Sequence, residues 1–244
     1  MNTTQTLEQM RELKLTGMLH SYQSQLELSI NHQLEGHELI AHLMQAEKSH
    51  RGDARLVALL HAAKLRYQAI PESIECNATR NLSKGQWSLL LEGAYVQQGE
   101  NILITGSTGC GKSYVACALA YQACLLGIKT RYYNMNRLIE AISMAKTEGS
   151  YLKFLNSLEK TPLIILDDFG LQALNKNMKL ALLQIMEDRY ANKSLIVTSQ
   201  LPVANWHEYL DEPTLADAIM DRMTAKSHRL ELQGESRRKK KQAV

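Results

Sequence analysis

Ile102-Leu103-Ile104-Thr105-Gly106-Ser107-Thr108-Gly109-Cys110-Gly111-Lys112-Ser113 passes from a short apolar strand into a glycine-rich loop. The loop matches GxxxxGK[ST] at every fixed position, and a helical pattern through residues 115–126 follows it. Glycines let a backbone wrap an anion with its N–H groups turned inward. The helix that follows aims its positive N-terminal end at the same anion. Lys112 brings a point charge to β- and γ-phosphates, and the Ser113 hydroxyl is a ligand for Mg²⁺. Gly106, Ser107, Thr108, Gly109, Cys110, Gly111, Lys112 and Ser113 are therefore the expected ATP-binding residues.

Outward from this loop the pattern alternates. Strands are expected at 128–133, at the apolar run Leu163-Ile164-Ile165-Leu166, at Leu195-Ile196-Val197-Thr198 and at 228–232. Helices are expected near 136–146, 149–159, 176–190 and 213–224. Strands that are continuously apolar are buried on both faces, and strand–helix alternation implies a parallel sheet between helices. Carboxylates at the end of such a strand lie at the ligand-binding edge of the sheet. Asp167 and Asp168 close the 163–166 run. Asp167 is expected to hold Mg²⁺, and Asp168 to orient or deprotonate an attacking water. Thr198-Ser199-Gln200 ends the next apolar run. Gln200 is the first choice, and Ser199 the second, for positioning that water.

Residues 5–66 read differently. Leu15, Met18, Leu19, Tyr22 and Leu26 form one helical stripe, Leu39, Ile40, Leu43 and Met44 a second, and Leu56, Val57, Leu60 and Ala63 a third. Gly52-Asp53 punctuates the chain, with Asp53 as an N-cap, so about three helices are expected. Six histidines lie in this region, none at the HxxxH spacing that puts two imidazoles on one helix face, so they read as ordinary helix positions. Residues 67–83 lose the helical period around Pro71 and read as a linker. The expected organisation is a helical N-terminal domain at 1–68, a linker at 69–83, an ATPase domain at 84–234 and a basic tail at 235–244.

Composition sets outer limits. The 244 residues are 45% hydrophobic and 22% charged, as in an ordinary globular chain. No apolar run is long enough to span a bilayer, and MNTTQTLEQMREL lacks the build of a secretory signal, so a cytoplasmic location without membrane is expected. The four cysteines form no CxxC pair, which argues against zinc. Net charge is +3, concentrated in the C-terminal part and in the block Arg237-Arg238-Lys239-Lys240-Lys241. Such blocks often meet polyanions. Tyr132, Tyr133, Arg137, Lys146 and Lys153 are the candidates elsewhere for contact with nucleic acid.

GSTGCGKS (106–113), LIILDDFG (163–170), VTSQLPVANWHEYL (197–210) and LADAIMDRM (215–223) together resemble the IstB-like transposition helper ATPases of the AAA+ class, which are close to the DnaC helicase loaders. LKLTGM (13–18) and AAKLRY (62–67) are also similar to this family, and the resemblance covers about residues 10–236. It implies an α/β AAA+ core behind a small all-helical domain, and a homo-oligomeric ring or helical assembly with ATP at the subunit junctions. It also implies binding of double-stranded DNA and stimulation of a cognate transposase. Arg222 matches the family's arginine finger, a catalytic group reaching the γ-phosphate of a neighbouring subunit; Arg189 is a second candidate for a junction contact. The sequence closes within a dozen residues of the last strand, so a full helical lid with its own arginine is not expected. Other readings are a replicative helicase loader, a small-molecule P-loop kinase, which would need an arginine-rich lid, and an ATP-binding scaffold without turnover.

Overall fold

The computed structural model describes residues 2–29 and 32–236. The basic block at 237–241 lies outside the described residues. The chain divides into two compact units, Met1–Ala58 and Leu59–Val244.

The first unit is helical. Helix α1 spans Thr3–Glu12, α2 Thr16–Glu27, and α3 Gly36–Ala63, which continues past the unit boundary. Asn2 and Gln5 cap α1 reciprocally, each side chain bonding the other's backbone N–H. A Cβ on Gly17 would fall 2.5 Å from the Ala46 carbonyl oxygen and 2.7 Å from Glu47 Cα. Only glycine lets α2 approach α3 this closely. The Met18 N–H beside it donates to Glu47 Oε2 at 3.1 Å, and Arg51 Nε donates to Glu47 Oε1 at 2.7 Å. These contacts explain the glycine of LKLTGM.

The expected break at Gly52-Asp53 does not occur. Both residues lie inside α3, a single helix of 28 residues. Gly52 is exposed and a Cβ there would meet nothing, so it costs the helix only about 1 kcal/mol relative to alanine. Flanking turns of good helix formers absorb that. The second and third apolar stripes therefore belong to one helix.

The second unit is built on a five-stranded, all-parallel sheet of order β2-β3-β4-β1-β5. The strands are β1 (Asn101–Gly106), β2 (Thr130–Asn134), β3 (Leu163–Phe169), β4 (Ser194–Ser199) and β5 (Ser227–Leu232). The helices are α4 (Lys84–Leu91), α5 (Ala94–Gln97), α6 (Lys112–Leu125), α7 (Met135–Thr147), α8 (Tyr151–Glu159), α9 (Lys176–Arg189), α10 (Trp206–Leu210) and α11 (Pro213–Thr224). Alternation along each strand separates two cores. Ile102, Ile104, Ile165, Ile196 and Leu230 pack with α4 and α6 on one face. Leu103, Ile164, Leu166, Leu195 and Val197 pack with α7, α8, α9, α10 and α11 on the other.

β2 starts at Thr130 rather than at 128, because the Ile128 N–H bonds back to the Ala123 carbonyl at 2.9 Å and closes the end of α6. Residues 69–83, expected as a linker, are packed into the core. Ala69, Pro71, Ile74, Arg80 and Leu82 are all buried. The segment has no helical period because it runs in 3-10 turns at Pro71–Ser73 and Ala78–Arg80. No helix among the described residues is long and apolar enough to cross a membrane.

Candidate nucleotide-binding and hydrolysis site

β1 ends at Gly106, and α6 begins at Lys112, so the glycine-rich loop occupies the carboxyl edge of the sheet. Gly106 has φ 145°, and a Cβ there would stand 2.2 Å from the Leu232 carbonyl oxygen at the end of β5. No other residue fits. Lys112 folds back over the loop, its Nζ donating to the carbonyls of Gly106 at 2.8 Å and Ser107 at 2.9 Å. Beneath the loop, buried Arg80 donates to the Cys110 carbonyl at 3.1 Å and to the Glu75 carbonyl at 3.1 Å. Cys110 is itself buried, as a small residue filling a gap. Ser113 lies in the first turn of α6 and is half-buried.

The acidic pair sits two strands away. Asp167 is 0% exposed at the end of β3. Its Oδ1 accepts from Thr198 Oγ1 at 2.5 Å, and its Oδ2 from the Tyr132 hydroxyl at 2.5 Å and Arg66 Nη1 at 3.1 Å. The β3–β4 register slips between Leu166 and Phe169, and Asp168 takes φ 64°, in the left-handed region. A bulge of this kind re-aims side chains at a strand end. Here it holds the Asp168 N–H on Thr198 Oγ1 at 3.1 Å and turns its carboxylate to Asn134 Nδ2 at 2.9 Å and Arg66 Nη1 at 3.2 Å. One guanidinium thus bridges both carboxylates. Burial works against the Arg66 charge, but Tyr132, Tyr67 and Asp167 outweigh it and hold it more firmly protonated than usual. Burial, with the bond to Asp167, pushes the Tyr132 phenol well above its ordinary range.

Gln200 follows β4, the strand between β3 and β1, and its Oε1 accepts from Thr108 Oγ1 at 2.7 Å. It therefore reaches the phosphate loop directly. Ser199 does not. It is buried, donates to the Phe169 carbonyl at 2.6 Å and accepts from the Leu201 N–H at 3.0 Å, so its hydroxyl is consumed in joining β4 to β3.

Arg222 is not brought to this edge. Near the end of α11 it pairs with Glu187 at 2.8 Å and Asp221 at 3.4 Å, beside the Tyr190 ring. Its carbonyl accepts from Asn101 Nδ2 at 3.1 Å, at the start of β1, whereas the phosphate loop follows the end of that strand. A strand of this length separates the two by roughly 17 Å. Arg189, the other junction candidate, is 1% exposed and spends its guanidinium on backbone carbonyls, so it is internal scaffold and not a junction group. Tyr132, a candidate for nucleic-acid contact, is committed to Asp167. Arg137, Lys146 and Lys153 are exposed.

Sequence reasoning did not single out Arg66, Asn134, Thr198 or Arg80. Asn134 and Thr198 were within reach, since each is a polar residue closing a strand that leads to this edge. Arg66 and Arg80 stand far from their partners in sequence; Arg66 lies in the AAKLRY segment, but nothing local there names the carboxylates it meets.

This sheet order, phosphate loop and strand-end acidic pair define a P-loop ATPase of the AAA+ fold. The family described as IstB-like ATP binding protein matches residues 8–244. The chain belongs to that family. It is 39% identical over 234 residues to the insertion-sequence ATP-binding protein y4pL of Sinorhizobium fredii, covering 96% of each chain. It is 38% identical over 203 residues to the ATP-binding protein of insertion sequence IS1162 of Pseudomonas fluorescens, covering 83% of this chain and 88% of that one. The solved structure of the DnaC helicase loader is similar in fold, with TM-score 0.58 and 22% identity over 70% of this chain and 100% of that one.

Proposed function

We propose that this chain is the ATP-dependent regulator of an insertion sequence, assembling on double-stranded target DNA and stimulating its cognate transposase. The observation that carries the reading is the placement of Arg222 at the opposite end of β1 from Lys112. An arginine there cannot serve its own loop, but it can serve the loop of the next subunit in a head-to-tail ring or helical assembly. Close similarity to insertion-sequence ATP-binding proteins supports the transposition role over helicase loading, since the likeness to the DnaC loader extends to fold alone.

In this mechanism the loop N–H groups and Lys112 gather the triphosphate, and Lys112 gives up its two loop carbonyls to do so. Ser113 and Asp167 would hold Mg²⁺; an acidic pair already bridged by one cation, Arg66, has the oxygen donors that a hard metal ion requires. Magnesium, when bound, draws charge from the phosphate oxygens. Asp168 orients the attacking water and accepts its proton, and Gln200 fixes that water against the loop. Arg222 of the neighbour meets charge developing in the transition state. ATP hydrolysis then controls assembly.

The test is sedimentation on duplex DNA with ATP and with ADP, beside ATP turnover, for the native chain, Lys112→Ala and Arg222→Ala. Lys112→Ala should lose nucleotide binding. Arg222→Ala should keep it, fail to form the large ATP-dependent assembly, and lose about 10³-fold in turnover. Unchanged assembly and turnover in Arg222→Ala would remove the basis for a shared site.

A further inference from the structure

Arg66 stands where the reaction needs a metal. Its Nη1 lies 3.1 Å from Asp167 Oδ2 and 3.2 Å from Asp168 Oδ2, and it is the one cation among the described residues paired with either carboxylate. The two ends of this contact differ. Asp167 is completely buried, but the Arg66 side chain is 39% exposed. The carboxylates are fixed by Thr198, Tyr132 and Asn134, while the guanidinium reaches in from the solvent side on a long, flexible stem. A second docking position is at hand, since the guanidinium already lies 5.3 Å from the centre of the Tyr67 ring.

We propose that Arg66 is an exchangeable counter-ion of the acidic pair, holding Asp167 and Asp168 in the metal-free protein and leaving when the metal–nucleotide complex binds. The inference rests on the proposed ATPase site. Without a cation, two adjacent carboxylates at the end of a buried strand would repel each other. Arg66 keeps both aimed at one point. A divalent ion brings twice the charge to the same oxygens, and Asp167 Oδ2, already accepting from Tyr132, has no room for both cations. The exchange makes metal binding and the Arg66 contact mutually exclusive, so each weakens the other by the same factor. It also places a metal-sensitive contact three residues past the end of α3. Arg66 is in this sense a positioning residue, acting through the two carboxylates.

The experiment is calorimetric titration of a nonhydrolysable ATP analogue at graded MgCl₂, with thermal unfolding of the full chain, for the native protein, Arg66→Ala and Arg66→Lys. Native chain that binds no analogue at any magnesium concentration sinks the ATPase reading itself, separately from this proposal. Given binding, Arg66→Ala should reach half its magnesium-dependent gain at about two- to fivefold lower MgCl₂, the range set by a pair exposed on the arginine side. Arg66→Lys, which keeps the charge, should lie near the native value. Arg66→Ala should lower the unfolding midpoint of the metal-free protein and leave that of the magnesium–nucleotide complex unchanged, because the contact is absent there. An unchanged or higher magnesium requirement, or equal destabilisation of both forms, would overturn the proposal.

Discussion

Arg189→Ala decides whether the arginine that ends α9 is scaffold or junction. The guanidinium donates to the carbonyls of Leu158 at 2.6 Å, Thr161 at 2.8 Å, Pro162 at 3.3 Å and Ser194 at 2.7 Å. The first two lie at the end of α8, where the helix leaves partial negative charge. The other two stand at the starts of β3 and β4. Each bond from a charged donor contributes about 1.5–3 kcal/mol. Against this, burial pulls the guanidinium pKa down to about 10, which puts the cost of enclosing the charge at about 3 kcal/mol. The bonds win, and truncation takes this donor from the Thr161 and Ser194 carbonyls, whereas those of Leu158 and Pro162 still accept from the Thr161 and Ser194 N–H groups. The expected loss is about 3–5 kcal/mol, the lower part of the surplus of these bonds over that cost. With a urea dependence of about 2 kcal/mol per molar, the unfolding midpoint should fall by about 2 M, read by circular dichroism. Arg189→Met, which keeps the stem volume, should lose nearly as much, because the same charged donors are removed in both. A midpoint within about 0.5 M of the native chain would refute the scaffold assignment.

Two further outcomes follow from the geometry. Gln200→Ala should lower ATP turnover by about 10²-fold while leaving the calorimetric affinity for nucleotide unchanged, since its contact is to the Thr108 side chain and not to the loop backbone; an equal loss in affinity would make it a binding residue instead. In the helical unit, Arg51 and then the Met18 N–H hold the Glu47 carboxyl below its usual range. The folded protein therefore binds this proton less readily than the unfolded chain. Its contribution is complete above the ordinary carboxylate range and is lost as pH falls through the lowered value. Amide exchange at Met18 should be faster in Glu47→Gln than in the native chain at pH 7, and the ratio should shrink toward one on acidification; a ratio independent of pH would contradict the contact.

Particular elements show how much could be read in advance. The loop 106–113, the strand at 163–166 and its two aspartates lie together in sequence and announce themselves, because phosphate binding and double-sided burial impose strict local patterns. Gln200 was legible as the polar end of an apolar run. Ser199, its neighbour, looked equivalent, and only the register slip between β3 and β4 turned its hydroxyl to the Phe169 carbonyl. Arg189 and Arg222 are both arginines near helix C-termini, and nothing local tells that one is enclosed by carbonyls and the other half-exposed beside Glu187. The segment 69–83 looked like a linker because its burial comes from 3-10 turns, which leave no period to detect.

By itself, then, the sequence determined the parallel sheet, the phosphate loop and the identity of the acidic pair, since each depends on residues adjacent along the chain. The tertiary structure decided which cation stands on those carboxylates and which arginine is enclosed by backbone carbonyls. Those choices depend on groups that meet across about 100 positions, as Arg66 and Asp167 do. Local propensity carries no information about such pairs, because the contact exists only once the sheet has brought their strands and loops to one edge.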